Sequence, residues 1–167
     1  RIEKAIGAEA RNIWSGTFHS IFAKILRFEA TALGYTSDFS IYDTDDSKSL
    51  IRTIVKEFNL DDKVYKANVV LNRISSAKNR LVSADDYLNN AIIQADDAAS
   101  KMPEVGRIYK AYSLRCFQAN AMDFDDLLVY TYILFRDFPH IREKYAMQFR
   151  YVLVDEYHDT NFAQHSI

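Results

Sequence analysis

Four consecutive apolar residues, Tyr151-Val152-Leu153-Val154, run straight into two carboxylates, Asp155-Glu156, and on into Tyr157-His158-Asp159-Thr160. No other stretch constrains the fold as tightly. A strand that is apolar on both faces needs both faces covered, which is the position of a strand inside a parallel α/β sheet. Ligands of open α/β sheets bind beyond the carboxyl ends of such strands, where Asp155 and Glu156 would stand. In nucleotide hydrolases an Asp so placed holds Mg²⁺ and its waters against the phosphates. The neighbouring Glu can then orient or deprotonate the attacking water. Taken alone, the run fits a core strand ending in a solvated Asp-Glu turn equally well.

The rest of the chain narrows the choice. Only four Gly and two Pro occur in 167 residues, which argues against long flexible linkers and against a turn-rich all-β fold. At 49% hydrophobic the chain can bury a sizeable core, and one domain is the default. A net charge of −2 argues against a globally basic nucleic-acid coat protein but is compatible with a local basic surface. The single cysteine, Cys116, excludes an intrachain disulfide and a multi-cysteine zinc site and fits a reducing, cytoplasmic setting. No apolar run approaches the roughly 18 residues of a membrane span, and the N-terminus is not signal-like. The chain opens at Arg1 and stops soon after its acidic pair, so we expect it to be a piece of a longer protein.

Hydrophobic spacing predicts a helical block between two strands. Asn12 to Phe18 is a short β-prone run that passes into a helix carrying Ile21, Phe22, Ile25 and Leu26, with Gly34 as its stop. Asp43 or Thr44 caps a helix with Leu50, Ile51, Ile54, Val55 and Phe58 inward. Further helices are expected with Val70, Ile74, Ala77 and Leu81, and from Ser83 through Tyr87, Leu88 and Ile92. Pro103 suits the first position of a helix displaying Val105, Ile108, Tyr112 and Cys116. Asp123 caps one with Leu127, Leu128, Thr131, Leu134 and Phe135 inward, and Pro139 opens another reaching Tyr145. That makes about six or seven helices. The expected fold class is mainly α: a helical insertion bracketed by two strands of one parallel sheet.

Three other stretches carry possible chemistry. Gly16-Thr17-Phe18-His19-Ser20 lies at a strand-to-helix turn, where unpaired backbone N–H groups and the Thr17, His19 and Ser20 side chains can hold a phosphate. Phe18 offers a face for a base. The same residues would also serve as a plain helix cap with a packed Phe. Lys63, Lys66, Arg73, Lys78 and Arg80 form a run without Asp or Glu, suited to backbone contacts with nucleic acid, with Ser75, Ser76 and Asn79 as neutral donors. A solvated helix face is the ordinary fate of such a run. Asp123-Phe124-Asp125-Asp126 could be read as a metal cluster, but the spacing favours a cap with two carboxylates in the positive first turn. His140 and His165 have no partner spacing that suggests a metal site.

In this order, the pieces resemble the UvrD/PcrA/Rep group of superfamily 1 DNA helicases. The matching residues are Gly16 to Ser20 (motif Ib), Ile74-Ser75-Ser76-Ala77-Lys78-Asn79 (motif Ic) and Asp123 to Leu128 (motif Id). Val152 to Asn161 with Gln164 match motif II, and the spacer Phe39 to Asp43 matches too. The likeness covers essentially the whole chain.

The resemblance implies an ATP-driven motor that moves 3′ to 5′ on single-stranded DNA and separates duplex, in DNA repair or replication. It implies an incomplete RecA-like parallel sheet, with residues 1–34 and 121–167 in the first motor domain and 35–120 as its helical insertion subdomain. ATP and Mg²⁺ would be the cofactors. Asp155 would bind Mg²⁺ through water, Glu156 would activate the hydrolytic water, and His158 would face the nucleotide. Thr17, Phe18, His19 and Ser20 would touch the single strand, with Phe124 and Asp125 near the same path. Ser75, Lys78 and Asn79 would face the duplex arm of a single-strand/double-strand junction.

His158 stands where the family usually has Gln, an amide whose donor and acceptor do not depend on pH, whereas His changes charge near neutrality. No G-x-x-x-x-G-K-[ST] phosphate loop occurs in the 167 residues, so this segment alone is expected to be inactive. Two other readings are open. One is the helicase part of a helicase–nuclease, which a downstream nuclease domain would reveal. The other is a DNA-binding or interaction module that has lost its motor, in which case no phosphate-loop Lys would precede Arg1.

Overall fold

The computed structural model describes residues 17–149. The strand expected at 151–154, with Asp155, Glu156 and His158, lies outside the described residues, as does most of the strand expected from Asn12. Phe18 and Thr17, placed at the end of that first strand by the sequence, instead open a helix.

Helix starts follow local side-chain chemistry. In α1 (Phe18–Glu29) the Thr17 hydroxyl accepts the Ser20 N–H at 3.2 Å. A 3-10 turn at Ala30–Leu33 ends on Gly34, whose φ of 82° is left-handed and whose Cβ position would lie 3.3 Å from the Phe117 ring. Only glycine meets both demands without strain. Strand β1 (Ser40–Tyr42) leads to Asp43, which closes a capping box with Asp46 on α2 (Thr44–Glu57). Helix α3 (Ala67–Asn79) follows, and Ser83 with Asp86 makes a second capping box on α4 (Ala84–Asn89).

The helix expected to run through Ile92 breaks at Asn90, which caps a separate α5 (Ala91–Ala99) by accepting the Ile93 N–H at 3.0 Å. That break raises the number of α-helices among the described residues to eight. Helix α6 (Val105–Gln118) begins two residues later than Pro103 would set it, with Glu104 at its cap position. Strand β2 (Ala121–Asp123) runs into α7 (Phe124–Asp137), and α8 (Pro139–Gln148) has Pro139 in its first turn.

The fold is mainly helical, as expected, with a small two-stranded sheet among the described residues. Strands β1 and β2 pair in parallel, Ser40 with Ala121, Ile41 with Met122 and Tyr42 with Asp123. Parallel pairing needs a crossover, and here α2 to α6 supply it. This sheet escaped the sequence reading because each strand is only three residues long.

The apolar residues fall into two clusters. One lies within residues 42–116 and centres on Ile51, Ile54, Val70, Ile74, Ile108 and Tyr112. The other joins the two ends of the described chain: Ile25, Leu26 and Phe39 from the first part pack with Leu127, Leu128 and Leu134 from the last. Elements distant in sequence thus share a core, and the stretch between them has its own. Helix α3 ends where the two meet. Leu81 there takes a left-handed φ of 59°, while Leu81 N–H bonds to Lys78 O and Val82 N–H to Ala77 O, each at 2.9 Å. This is a Schellman ending with leucine where glycine is favoured. It directs Leu81 to the second cluster while Val82 packs against the first.

Candidate nucleic-acid interface

The sequence-predicted site residues from Thr17 to Asp125 converge on three helix ends. The N-terminus of α1 carries Thr17, Phe18, His19 and Ser20, the N-terminus of α7 carries Phe124 and Asp125, and the last turns of α3 carry Ser75, Lys78 and Asn79. Across the first two, the His19 and Phe124 rings meet edge-on, 6.0 Å apart at 72°. Phe124 is 44% exposed. Phe18 stacks on Phe22 at 5.8 Å, so its ring is half-buried support for this edge. Thr17 and Ser20 are exposed and bond to one another, Ser20 Oγ donating to Thr17 O at 2.9 Å. The N–H groups of a helix's first turn have no partners within the helix, so this edge combines donors with an aromatic face.

Asp125, Ser75 and Asn79 are brought together as well, but as partners of each other. Ser75 Oγ donates to Asp125 Oδ2 at 2.7 Å and Asn79 Nδ2 to Oδ1 at 3.4 Å. Burial pushes the Asp125 carboxyl above its usual range, and the Ser75 bond works against that shift.

Lys78 is not where the sequence placed it. Instead of facing outward from a basic helix, it is 5% exposed, with its ammonium between two carboxylates: Nζ donates to Asp123 Oδ2 at 2.7 Å and to Asp126 Oδ1 at 2.8 Å. Those two residues form the capping box of α7. Asp126 N–H bonds to Asp123 Oδ1 at 2.8 Å and Asp123 N–H to Asp126 Oδ2 at 3.0 Å. Tyr112 Oη donates to Asp123 Oδ2 at 2.7 Å and stands 2.9 Å from the Ser47 hydroxyl. All four carboxylate oxygens therefore have a donor. A buried charge survives on such terms, paired and hydrogen-bonded at once. The sequence held a signal: 78 is four residues past Ile74, on the face of Val70, Ile74 and Ala77, so a lysine there faces inward.

Electrostatics follow from one cation and two carboxylates in a buried site. Burial disfavours charge on Lys78, but Asp126 and Asp123 outweigh it and hold the ammonium protonated. Burial likewise opposes ionisation of Asp123, and the Lys78 charge and hydrogen bond, with Tyr112, overcome it and lower its pKa. Asp126, buried beside an ionised Asp123, is pushed up to about 7.

The basic run does not form one free surface. Arg73 Nη1 is paired with Asp97 Oδ1 at 2.5 Å, and Tyr87 Oη donates to Asp97 Oδ2 at 2.6 Å. Lys63, Lys66 and Arg80 are exposed. Asp97, 3% exposed, was missed from the sequence because nothing local marks its partner. Among the described residues no group of three or more His, Cys, Asp or Glu could hold a metal ion. Burial pushes the Cys116 thiol up to about 12, which leaves it unreactive. No helix among the described residues is long and apolar enough to cross a membrane.

A family model described as the UvrD/REP helicase N-terminal domain matches residues 1–167. The chain is 42% identical over 167 residues to ATP-dependent DNA helicase UvrD1 of Mycobacterium leprae, covering 99% of this chain and 21% of that protein. It is 41% identical over 166 residues to UvrD1 of Mycobacterium tuberculosis, again over 99% of the chain and 21% of the relative. ATP-dependent DNA helicase PcrA of Staphylococcus epidermidis is 39% identical over 167 residues, 100% of this chain and 22% of that protein. The chain thus spans about a fifth of the length of these relatives.

Proposed function

Because this chain belongs to the UvrD/REP helicase N-terminal domain family, we propose that the protein containing it is an ATP-dependent DNA helicase, moving 3′ to 5′ on single-stranded DNA. The observation that carries the reading within the described residues is the His19–Phe124 pair at the joined N-termini of α1 and α7. In this reading Thr17, His19, Ser20 and Phe124 line the single-strand path, Phe18 backs it, and Asp125 stands beside it. Ser75 and Asn79 act through Asp125. Lys63, Lys66 and Arg80 are the residues left to face a duplex arm.

Residues 1–34 and 121–167 then belong to the first RecA-like motor domain and 35–120 to its helical insertion, a division supported by the two separate apolar clusters except at Tyr35, Phe39, Ile41 and Leu81, which pack with the terminal cluster. Asp155 supplies the hard carboxylate oxygen that Mg²⁺ favours. Bound Mg²⁺ would offset phosphate charge, Glu156 would accept a proton from the attacking water, and His158 would be among the residues that bind the nucleotide. The setting is the cytoplasm, the role is DNA repair or replication, and the partner is DNA at a single-strand/double-strand junction.

Two measurements test this. Phe124→Ala in the full-length protein should weaken single-stranded DNA binding by about 1–3 kcal/mol, the worth of one stacked base. Unchanged affinity by fluorescence anisotropy would remove Phe124 from the path. The 167-residue chain alone should release no phosphate from ATP above background, with or without DNA, because it contains no phosphate loop. DNA-stimulated turnover by the chain alone would contradict that.

A further inference from the structure

We propose that Lys78 is a positioning residue for the single-strand path: by gripping the capping box of α7 it sets where Phe124 stands against His19. The inference rests on the reading of the α1/α7 edge as that path, and it gives a buried lysine a part in DNA binding without touching DNA.

The turn 123–126 is tied to α3 at three of its four residues. Asp123 and Asp126 bond to Lys78, and Asp125 bonds to Ser75 and Asn79. Phe124 alone turns the other way, exposed and edge-on to His19. The first turn of α7 is therefore placed by the last turns of α3, and the direction of Phe124 follows from that placement.

Helix α3 itself packs in the cluster of the intervening segment, whereas α1 and α7 pack in the other. The grip thus crosses from one core to the other. Just beyond it, Leu81 crosses too, in a left-handed conformation that a bulky residue takes only where the surroundings impose it. Charge favours the same docking, since the C-terminal end of α3 prefers a cation and the N-terminal end of α7 prefers anions. The network closes without slack: among the described residues no buried side-chain nitrogen or oxygen lacks a hydrogen-bond partner. A solvated surface lysine would leave the α7 turn free to shift, whereas a buried two-carboxylate grip with Tyr112 behind it does not.

The test is a double-mutant cycle in the full-length protein, read as equilibrium affinity for a fluorescent oligothymidylate over a salt series. Phe124→Ala is expected to weaken binding about 5- to 150-fold. Lys78→Met should weaken it roughly tenfold, within the range of couplings inside one network, and should add little on top of Phe124→Ala. Tyr112→Phe, which removes only the hydroxyl behind Asp123, should act in the same direction and answers the question if Lys78→Met does not fold. Ile54→Ala, a cavity in the same core as α3, should leave affinity within about twofold, since loss of core packing away from the α7 turn is not coupled to it. The salt slope should be unchanged in Lys78→Met, because a lost phosphate contact would lower it by about one.

Losses that multiply with Phe124→Ala, a reduced salt slope, or full affinity in both Lys78→Met and Tyr112→Phe would each overturn the proposal. If Phe124→Ala itself leaves affinity intact, the path reading fails and this inference with it, an outcome distinct from the first three.

Discussion

Lys78→Met is expected to destabilise the fold by about 3–5 kcal/mol, the usual consequence of removing one partner from a buried ion pair. Methionine keeps much of the volume of the lysine stem, so little of the loss comes from a cavity. It comes from leaving Asp123 and Asp126, 3% and 6% exposed, without their cation.

The pH dependence separates this from a packing defect. In the native protein the carboxyl of Asp123 is held below its ordinary range, so its contribution is present above the unfolded pKa and disappears as pH falls through the folded one. Asp126, raised to about 7, has the opposite sign: the folded state binds its proton first, and stability from this group grows as pH falls from about 7 towards the ordinary carboxylate range. Without Lys78 both carboxyls are raised by burial, so the deficit should be largest near pH 7.5 and shrink by pH 5.5. Amide hydrogen exchange across α3 and α7 in the full-length protein measures the opening free energy locally. A loss under 1 kcal/mol, or one that does not change with pH, would mean that the cluster is not ionised as described.

Glu156→Gln in the full-length protein should lower DNA-stimulated phosphate release by about 10²- to 10⁴-fold, the range a positioned general base contributes. The amide keeps the shape and hydrogen bonding of the side chain but cannot take a proton from water, so nucleotide binding should survive. Asp155→Asn is expected to differ: it removes a carboxylate that Mg²⁺ prefers and should weaken Mg²⁺-dependent nucleotide binding itself. Steady-state phosphate release combined with binding of a fluorescent nucleotide distinguishes the two. Turnover of Glu156→Gln within tenfold of the native rate would assign the base to another residue.

Much of the helical pattern is legible along the chain because capping is local. Asp43, Ser83 and Asp123 each act on an N–H three residues on, and that spacing is visible without any fold. The inward faces of α2, α3, α6 and α7 are legible for a similar reason, since a buried stripe recurs at a fixed period. The break at Asn90 is harder. Its cap competes with a continuous apolar spacing through Leu88 and Ile92, both of which end up exposed. Strands β1 and β2 were missed because three residues carry no useful period and their pairing spans the whole of α2 to α6.

The site divides along the same line. Thr17, Phe18, His19, Ser20, Phe124 and Asp125 could be nominated from motifs, because each motif is a short run of residues. Charge in the basic run was misjudged, because the environment of a lysine is set by what packs over it. The partners of Lys78 lie 45 and 48 residues away, and Arg73 meets Asp97 across 24. Sequence by itself determined where most helices begin, which faces turn inward and which short runs bear chemistry, since each depends on groups within a turn or two of one another. Tertiary structure alone decided that Phe124 meets His19, that two cores form, and that the lysine of the basic run is a buried counter-ion. Those outcomes depend on which distant surfaces exclude water from each other, and the spacing of residues along one segment carries no record of that.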